Sequence, residues 1–371
     1  MKPQHRTPGT TVPLADRATA LGDSHWRTAA IALLSVRITQ GFIYWGGGSR
    51  RFLYDPQKLD PDAHSWMANK FQSAMPGALL GTDQLIAFLL QHFWLLYAGL
   101  ILFSAAELVA GLALVAGLMT RLAAVATMGF AVLLMLMFGW QGGTCIDEWT
   151  MAACNLAMGA TLLLAGSGAY SLDNALLKRR THLGDRAWFR WFAGSLPLPL
   201  SDAAFRTFGL VMLAAVVSFN VAIYSYLRGS VVTPYHSGRV SPTSHHFTLS
   251  DGRVLADGGV RFRIYLDGGT GDIAAHIMKA EVTGTNGQVL ETWNTETLSR
   301  LPANAIHNEF AYNKFGVGPY GIVAGMGAKA IITLPPIRGA TVASQGPASL
   351  TLTNVDGDSF SLNLLEGGAS R

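Results

Sequence analysis

Apolar runs dominate residues 1–228, and an alternation of period two replaces them from Gly229 onward. A bilayer span needs about 20 apolar residues, each rising roughly 1.5 Å. The first run, Thr28 to Trp45, is short, carries Arg37 in its middle and ends in Phe42-Ile43-Tyr44-Trp45 before a set of glycines. It predicts an uncleaved transmembrane helix with an aromatic belt at its far end. Leu85 to Met119 is too long for one span, so it predicts an interfacial piece over Leu85–Gln91 and a span over Phe93–Leu118. Thr120–Arg121 then reads as a very tight turn, and further spans are expected over Leu122–Trp140, Trp149–Ala165 and Phe205–Leu227.

The connecting stretches have their own character. Residues 1–27 are polar, with Pro3, Pro8 and Pro13, and read as a disordered cytoplasmic tail. Gly46 to Asp83 is polar and aromatic; Trp66, Met67 and Phe71 suggest a short amphipathic segment on the membrane surface. Residues 167–204 mix Lys178, Arg179, Arg180, Arg186 and Arg190 with Trp188, Phe189, Trp191 and Phe192. That mixture reads as a cytoplasmic loop obeying the positive-inside rule, ahead of a headgroup or nucleic-acid patch.

In the last section Val260, Phe262, Ile264 and Leu266 alternate with Arg261, Arg263 and Tyr265, the pattern of a half-buried strand. Strands are expected over 276–283 and 288–293, joined through Asn286–Gly287, and over Ala328–Leu334. Another pair, Leu350–Leu352 and Phe360–Leu364, flanks the turn Asp356–Gly357–Asp358. The expected architecture is a membrane all-α helical bundle, a four-helix core plus a fifth span, followed by an all-β antiparallel sandwich. The expected boundaries are a tail over 1–27, the four-helix domain with its basic loop over 28–204, the fifth span over 205–228 and the sandwich over 229–371.

Composition sharpens this picture. Half of the 371 residues are hydrophobic and only 13% are charged, against about 25% in a soluble domain. Residues 1–228 hold 17 Lys+Arg against 12 Asp+Glu, and residues 229–371 hold 10 against 11. The asymmetry reads as topology, not as nucleic-acid binding. Positive-inside places the N-terminal tail and the basic loop in the cytoplasm and the β domain outside, in the periplasm of a Gram-negative inner membrane. Two cysteines, Cys145 and Cys154, exclude a disulfide-rich scaffold and a Cys₄ metal site.

The chain shows no haem-attachment motif, no flavin or dinucleotide fingerprint, no P-loop and no standard metal spacing. Gly316-Val317-Gly318-Pro319-Tyr320-Gly321 fits GxGxxG only superficially and is expected to be a loop. His236, His245, His246, His276 and His307 match no zinc pattern and read as surface or strand residues.

Two sets of residues carry candidate chemistry. A charge at mid-bilayer costs on the order of 3 kcal/mol unless paired or hydrated, so Arg37 and Glu107 are expected to pair. Such a pair either fixes the bundle or lines a polar pocket for a quinone or a proton path. The second set, Trp45, Arg50, Arg51, Cys145, Asp147 and Glu148, is expected on the outer rim. Adjacent arginines offer a dianion bidentate partners, and a thiol beside them would be acidified. The plainer readings are headgroup contacts or local ion pairs for Arg50 and Arg51 and an inert Cys145. Cys154 is expected to pack within its span, and a Cys145–Cys154 disulfide stays open.

The runs Arg37-Ile-Thr-Gln-Gly41-Phe42 and Gly46-Gly47-Gly48-Ser-Arg50-Arg51 resemble the first helix of the DoxX-like membrane family, in its DoxD branch. Ala106-Glu107-Leu-Val-Ala-Gly111 and Gly117-Leu-Met-Thr120-Arg121 resemble the family's Glu-containing helix and its Thr-Arg turn. Cys145–Glu148 is also similar to DoxD, and the section from Gly229, with Gly318-Pro319-Tyr320-Gly321, is similar to DoxA. The resemblance covers nearly everything after residue 27. It implies a fused thiosulfate:quinone oxidoreductase (TQO), which oxidises two thiosulfates to tetrathionate and passes the electrons to a membrane quinone. It brings no settled catalytic residues with it.

On that basis Arg50 and Arg51 are candidate thiosulfate ligands, and Arg37, Tyr44, Trp45 and Glu107 candidate quinone ligands. Cys145, Glu107, Asp147 and Glu148 are candidate catalytic groups. Thiosulfate, quinone and membrane lipid are the expected partners, nucleic acid is not, and a homo-oligomer is compatible with the sequence. The rival expectation is a non-enzymatic anchor that docks another redox enzyme through its β domain.

Overall fold

The computed structural model describes residues 14–141, 148–228, 244–269, 273–338 and 348–366, with backbone alone for 14–25, 228 and 366. A helical N-terminal region precedes a C-terminal all-β domain. In chain order the helices are α1 (Leu14–Ser49), α2 (Met67–Ala74), α3 (Thr82–Gln91), α4 (Phe93–Ala116) and α5 (Thr120–Phe138). They continue as α6 (Glu148–Ala165), α7 (Leu172–Arg179), α8 (Ala187–Phe192) and α9 (Asp202–Arg228). Among the described residues, Phe93–Ala116, Thr120–Phe138 and Asp202–Leu227 are long and apolar enough to cross a bilayer. The other two expected spans, α1 and α6, are helical but less apolar.

Several details depart from the expectations. Helix α1 starts at Leu14, inside the segment read as a disordered tail. Thr120 and Arg121 open α5 and are not the turn. The turn is Gly117–Met119, where Gly117 and Met119 take left-handed backbone angles of 68° and 48° in φ. The basic segment folds into the short helices α7 and α8. Ser171 caps α7, its hydroxyl accepting from the Asn174 amide at 3.2 Å.

The chain packs as two compact units whose boundaries fall inside helices. One comprises residues 1–49, 105–129 and 155–216. Here α1 and α4 cross backbone to backbone: a methyl on Gly111 would lie 2.2 Å from the Trp45 nitrogen and 2.7 Å from the Gly41 carbonyl oxygen. Only small residues allow such an approach. Leu114, Ala123, Ala124 and Leu162 form the apolar core of this unit, with Val36 packed against it.

The other unit comprises residues 50–104, 130–154 and 217–371. After Ser49 the helix widens into one π-turn, Arg50–Tyr54, closed by the Asp55 amide donating to the Arg50 carbonyl. Helices α2 and α3 pack with the start of α4 and the end of α5 around Trp66, Met75, Ile86, Leu96 and Phe138, and Phe310 of the β domain joins the same cluster. In the other direction Trp140, just beyond α5, belongs to the core of the β domain. Its indole nitrogen donates to the Ala74 carbonyl at 2.7 Å.

The β domain is one ten-stranded sheet in the order β5-β8-β2-β1-β10-β9-β3-β7-β6, with β4 also on β3. The strands are β1 (His246–Val254), β2 (Val260–Gly268), β3 (Ala275–Thr283), β4 (Val289–Trp293) and β5 (Ile306–Asn308). The rest are β6 (Phe315–Gly318), β7 (Gly321–Ala324), β8 (Lys329–Leu334), β9 (Ala348–Asn354) and β10 (Ser359–Glu366). The alternation read in β2 is realised: Val260, Phe262, Ile264 and Leu266 are all fully buried. The pairs are antiparallel except β1 with β10, which run parallel. The ends of the sheet approach each other. Asn308 on β5 donates to the Phe315 carbonyl on β6 at 2.9 Å and accepts from its amide at 2.7 Å. The GVGPYG run is a tight hairpin and not a loop, with Gly318 opposite Gly321 and Pro319–Tyr320 at the tip.

Candidate functional site

Three places in the helical part gather polar side chains. The first is a cationic rim in the second unit. Arg50 and Arg51 open the π-turn, Arg50 exposed and Arg51 half-buried. The Arg51 guanidinium donates to the Ser104 hydroxyl at 3.4 Å and lies 5.8 Å from the Phe103 ring centroid. Lys58 follows on the next turn, 3.7 Å from the Asp55 carboxylate. Lys70 on α2 reaches Glu148, the first residue of α6, at 2.7 Å. Partial burial, and then the nearby Arg50, hold the Lys58 ammonium below its ordinary pKa; Arg51 and Lys70 press the same way and Asp55 opposes them. Four cations therefore share one field, with two carboxylates bonded to them. Lys58 and Lys70 escaped the sequence reading, because only the fold brings them to the arginine pair.

The second place lies inside the first unit. Gln40 is fully buried, and its amide nitrogen donates to the Asn155 carbonyl at 2.8 Å and to the Thr127 hydroxyl at 3.3 Å. One turn further along α1, the buried Tyr44 hydroxyl donates to the Thr127 carbonyl at 2.8 Å. Another turn on, Gly47 faces Glu107: a methyl there would lie 3.5 Å from the carboxylate. Glu107 itself is buried. Trp45 is half-buried and leans on the exposed Phe42, ring centroids 5.4 Å apart. The signal for Gln40, Thr127 and Asn155 was present in the sequence as polar residues inside apolar runs.

The third place corrects the expected Arg37–Glu107 pair. Arg37 donates to the carbonyls of Ser167 at 3.0 Å and Tyr170 at 2.8 Å, just past the end of α6. Gly47, which faces Glu107, is ten residues along α1, or about 15 Å of helix rise. The two charges sit at different levels because α1 and α4 cross at Gly41 and Gly111, which leaves Arg37 beside Gly117 and Glu107 beside Gly47. Beside Arg37, Arg121 is fully buried and donates to the carbonyls of Leu163, Arg190, Ala193 and Leu196. Asp173 completes this end of the unit. Its carboxylate accepts from the amides of Met119, Thr120 and Gly194 and from the Thr120 hydroxyl. These bonds tie the α4–α5 turn to the folded basic segment and leave Arg37 and Arg121 occupied with backbone.

Cys145 and Asp147 lie outside the described residues, and so does His236. Cys154, expected to pack within its span, is exposed on α6. In the β domain His246 is 2.6 Å from the buried Asp267 carboxylate, whose other oxygen accepts from the Thr248 hydroxyl at 2.6 Å. His245 lies 3.7 Å from Asp356, and His276 meets the edge of Tyr320. His307 is exposed on β5. Among the described residues, no group of three or more His, Cys, Asp or Glu side chains is arranged to hold a metal ion.

Residues 32–200 match the family model described as "TQO small subunit DoxD", and residues 227–363 match the one described as "TQO small subunit DoxA". The two matches follow one another and together take in most of the chain. Among solved structures, "Structure of Iho670 Flagellar-like Filament" aligns with 44% of this chain and 98% of its own at 9% identity. Its TM-score is 0.19, and the likeness carries no argument.

Proposed function

Because the chain belongs to the DoxD and DoxA families, joined in that order in one polypeptide, we propose that it oxidises thiosulfate and reduces a membrane quinone. That pairing of two TQO subunit families is the observation that carries the reading. In the balanced reaction two thiosulfates lose one electron each as their terminal sulfurs join in tetrathionate. The quinone takes up the two electrons with two protons.

The cationic rim supports a thiosulfate role. Each substrate is a dianion, and Arg50, Arg51, Lys58 and Lys70 supply opposite charge and hydrogen-bond donors on a water-facing surface. Glu148 holds Lys70 in place. If Cys145 takes part, its thiolate joins the terminal sulfur of one thiosulfate as two electrons leave. The second thiosulfate then attacks that sulfur, releases tetrathionate and restores the thiolate. Asp147 neighbours this step in sequence.

The quinone role is supported by the buried polar set. Trp45 and Phe42 offer two aromatic faces, tilted 34° to each other, for a quinone ring to lie on, and the buried Glu107 can hand on protons. Tyr44 supports this set from within, its hydroxyl already committed to Thr127. Arg37, bonded to backbone carbonyls, braces the end of the bundle. The distribution of positive charge favours a plasma (inner) membrane location with the N-terminus in the cytoplasm and the β domain outside.

The test is reduction of a soluble quinone analogue by the purified full chain. Thiosulfate-dependent reduction with one tetrathionate per quinol is expected. Absence of turnover, with co-purification of a soluble dehydrogenase, would favour the docking role instead. Full activity in Cys145→Ser would remove Cys145 from the mechanism.

A further inference from the structure

Helix α2 has eight residues, two turns, and helices this short have little stability of their own. Its orientation must come from what grips it. On one side the Trp140 indole donates to the Ala74 carbonyl and the Gln141 amide to the Ser73 carbonyl. On the other side the polar grip comes from the β domain, with Asn313 at its centre. The Asn313 side-chain amide donates to the Asn69 carbonyl at 2.9 Å and to the Met326 carbonyl at 2.7 Å. Its backbone amide donates to the Gln72 side-chain oxygen at 2.9 Å, and its carbonyl accepts from the Gln72 side-chain nitrogen at 2.8 Å. The same nitrogen donates to the Gly327 carbonyl at 3.0 Å. Gln72 is fully buried. Gly327 comes so close that a methyl on it would lie 2.0 Å from the Gln72 carbonyl oxygen. Lys70 stands between Asn69, whose backbone carbonyl Asn313 holds, and Gln72, whose side-chain amide Asn313 holds.

We propose that the β domain positions the anion site, with Asn313 gripping Gln72 and so fixing α2 where Lys70 meets Glu148. The inference rests on the reading of the rim as the thiosulfate site. Gln72 and Asn313 are positioning residues: they touch no substrate and act through Lys70. It gives the β domain a definite part in catalysis, as the splint for a short helix that carries a substrate contact.

The test uses the purified full chain and Gln72→Met, which keeps the side-chain volume and removes the hydrogen bonds. The thiosulfate KM should rise about five-fold, while kcat and the KM for a soluble quinone analogue stay within about two-fold. Lys70→Gln should raise the same KM, and the double variant should be no worse than Lys70→Gln alone, because the two act in series. An unchanged thiosulfate KM, additive losses or a fall in kcat alone would overturn the proposal. Hydrogen exchange in the wild-type protein gives a second readout that needs no variant. The amides of Asn69 to Ala74 should be as protected as those of β8, and fast exchange there would overturn the proposal as well. If the wild type reduces no quinone with thiosulfate, the functional reading fails, while the exchange experiment still decides whether the splint exists.

Discussion

At the scale of single residues, Lys58 and Asp173 illustrate what a charge does when the fold surrounds it. The depressed pKa of Lys58, caused first by burial and then by Arg50, sets the sign of a pH effect. The folded protein gives up this proton at a lower pH than the unfolded chain does. Stability therefore rises as pH climbs through that interval, because the unfolded chain holds the extra proton there. Anion binding has the opposite preference, since a bound dianion favours charged Lys58. We expect the thiosulfate KM to be lowest below the depressed value and to increase through it, and Lys58→Arg to flatten that alkaline rise. A pH series of KM measurements on both proteins checks this. Asp173 accepts four hydrogen bonds beside two buried arginines. Asp173→Ala should cost about 3–5 kcal/mol, as removing one member of a buried charged set does, read as a fall in Tm in detergent with the helical signal retained below it. The sequence made Arg37 and Glu107 visible as charges in apolar surroundings. The partners of Arg37 were not visible, because Ser167, Tyr170 and Asp173 lie more than a hundred residues from it, and two of those contacts are to backbone carbonyls that any residue supplies.

At the scale of elements, apolar runs and two-residue alternation located α3, α4, α5, α6, α9 and the strands β2, β3, β4, β8, β9 and β10 to within a few residues. What escaped was set by geometry that hydropathy does not encode. Helix α1 extends through polar residues because the backbone can continue helical without an apolar face. The GVGPYG run looked like a loop, since glycine and proline are poor strand formers, yet β3 supplies a partner for β7 and β7 one for β6. The α1–α4 crossing depends on glycine at both Gly41 and Gly111. A methyl on Gly111 meets the α1 backbone, which cannot swing aside as a side chain would. Gly111→Ala should therefore destabilise the protein by about 1–3 kcal/mol, as overpacking does, measurable as earlier thermal unfolding. Gly46→Ala, which meets nothing within 4 Å, is the control and should leave that midpoint near the wild-type value.

At the scale of the whole chain, the boundary suggested by the families and the boundary of packing differ. The DoxD match ends at residue 200, before α9, and the DoxA match begins at 227, at its end, but α2, α3 and Trp140 share their cores with the β domain. The sequence showed where the pattern changes period. It could not show that Phe310 and Trp140 each sit in a core dominated by the other part. This interlock has a direct test. With a protease site inserted among residues 232–240, cleavage of the purified full chain should leave both pieces in one peak on size exclusion. Separation of the pieces at moderate salt would show that the covalent connection alone holds them together.

The parallel pairing of β1 with β10 has a practical corollary. The first and last strands lie side by side, with Arg253 opposite Leu365 and Val254 opposite Glu366. The chain thus arrives at His246 and departs beside the other end of the same strand, about 25 Å away at the usual strand rise. A fluorescent reporter fused directly after Glu366 would start beside Val254, at the end of β1 away from His246.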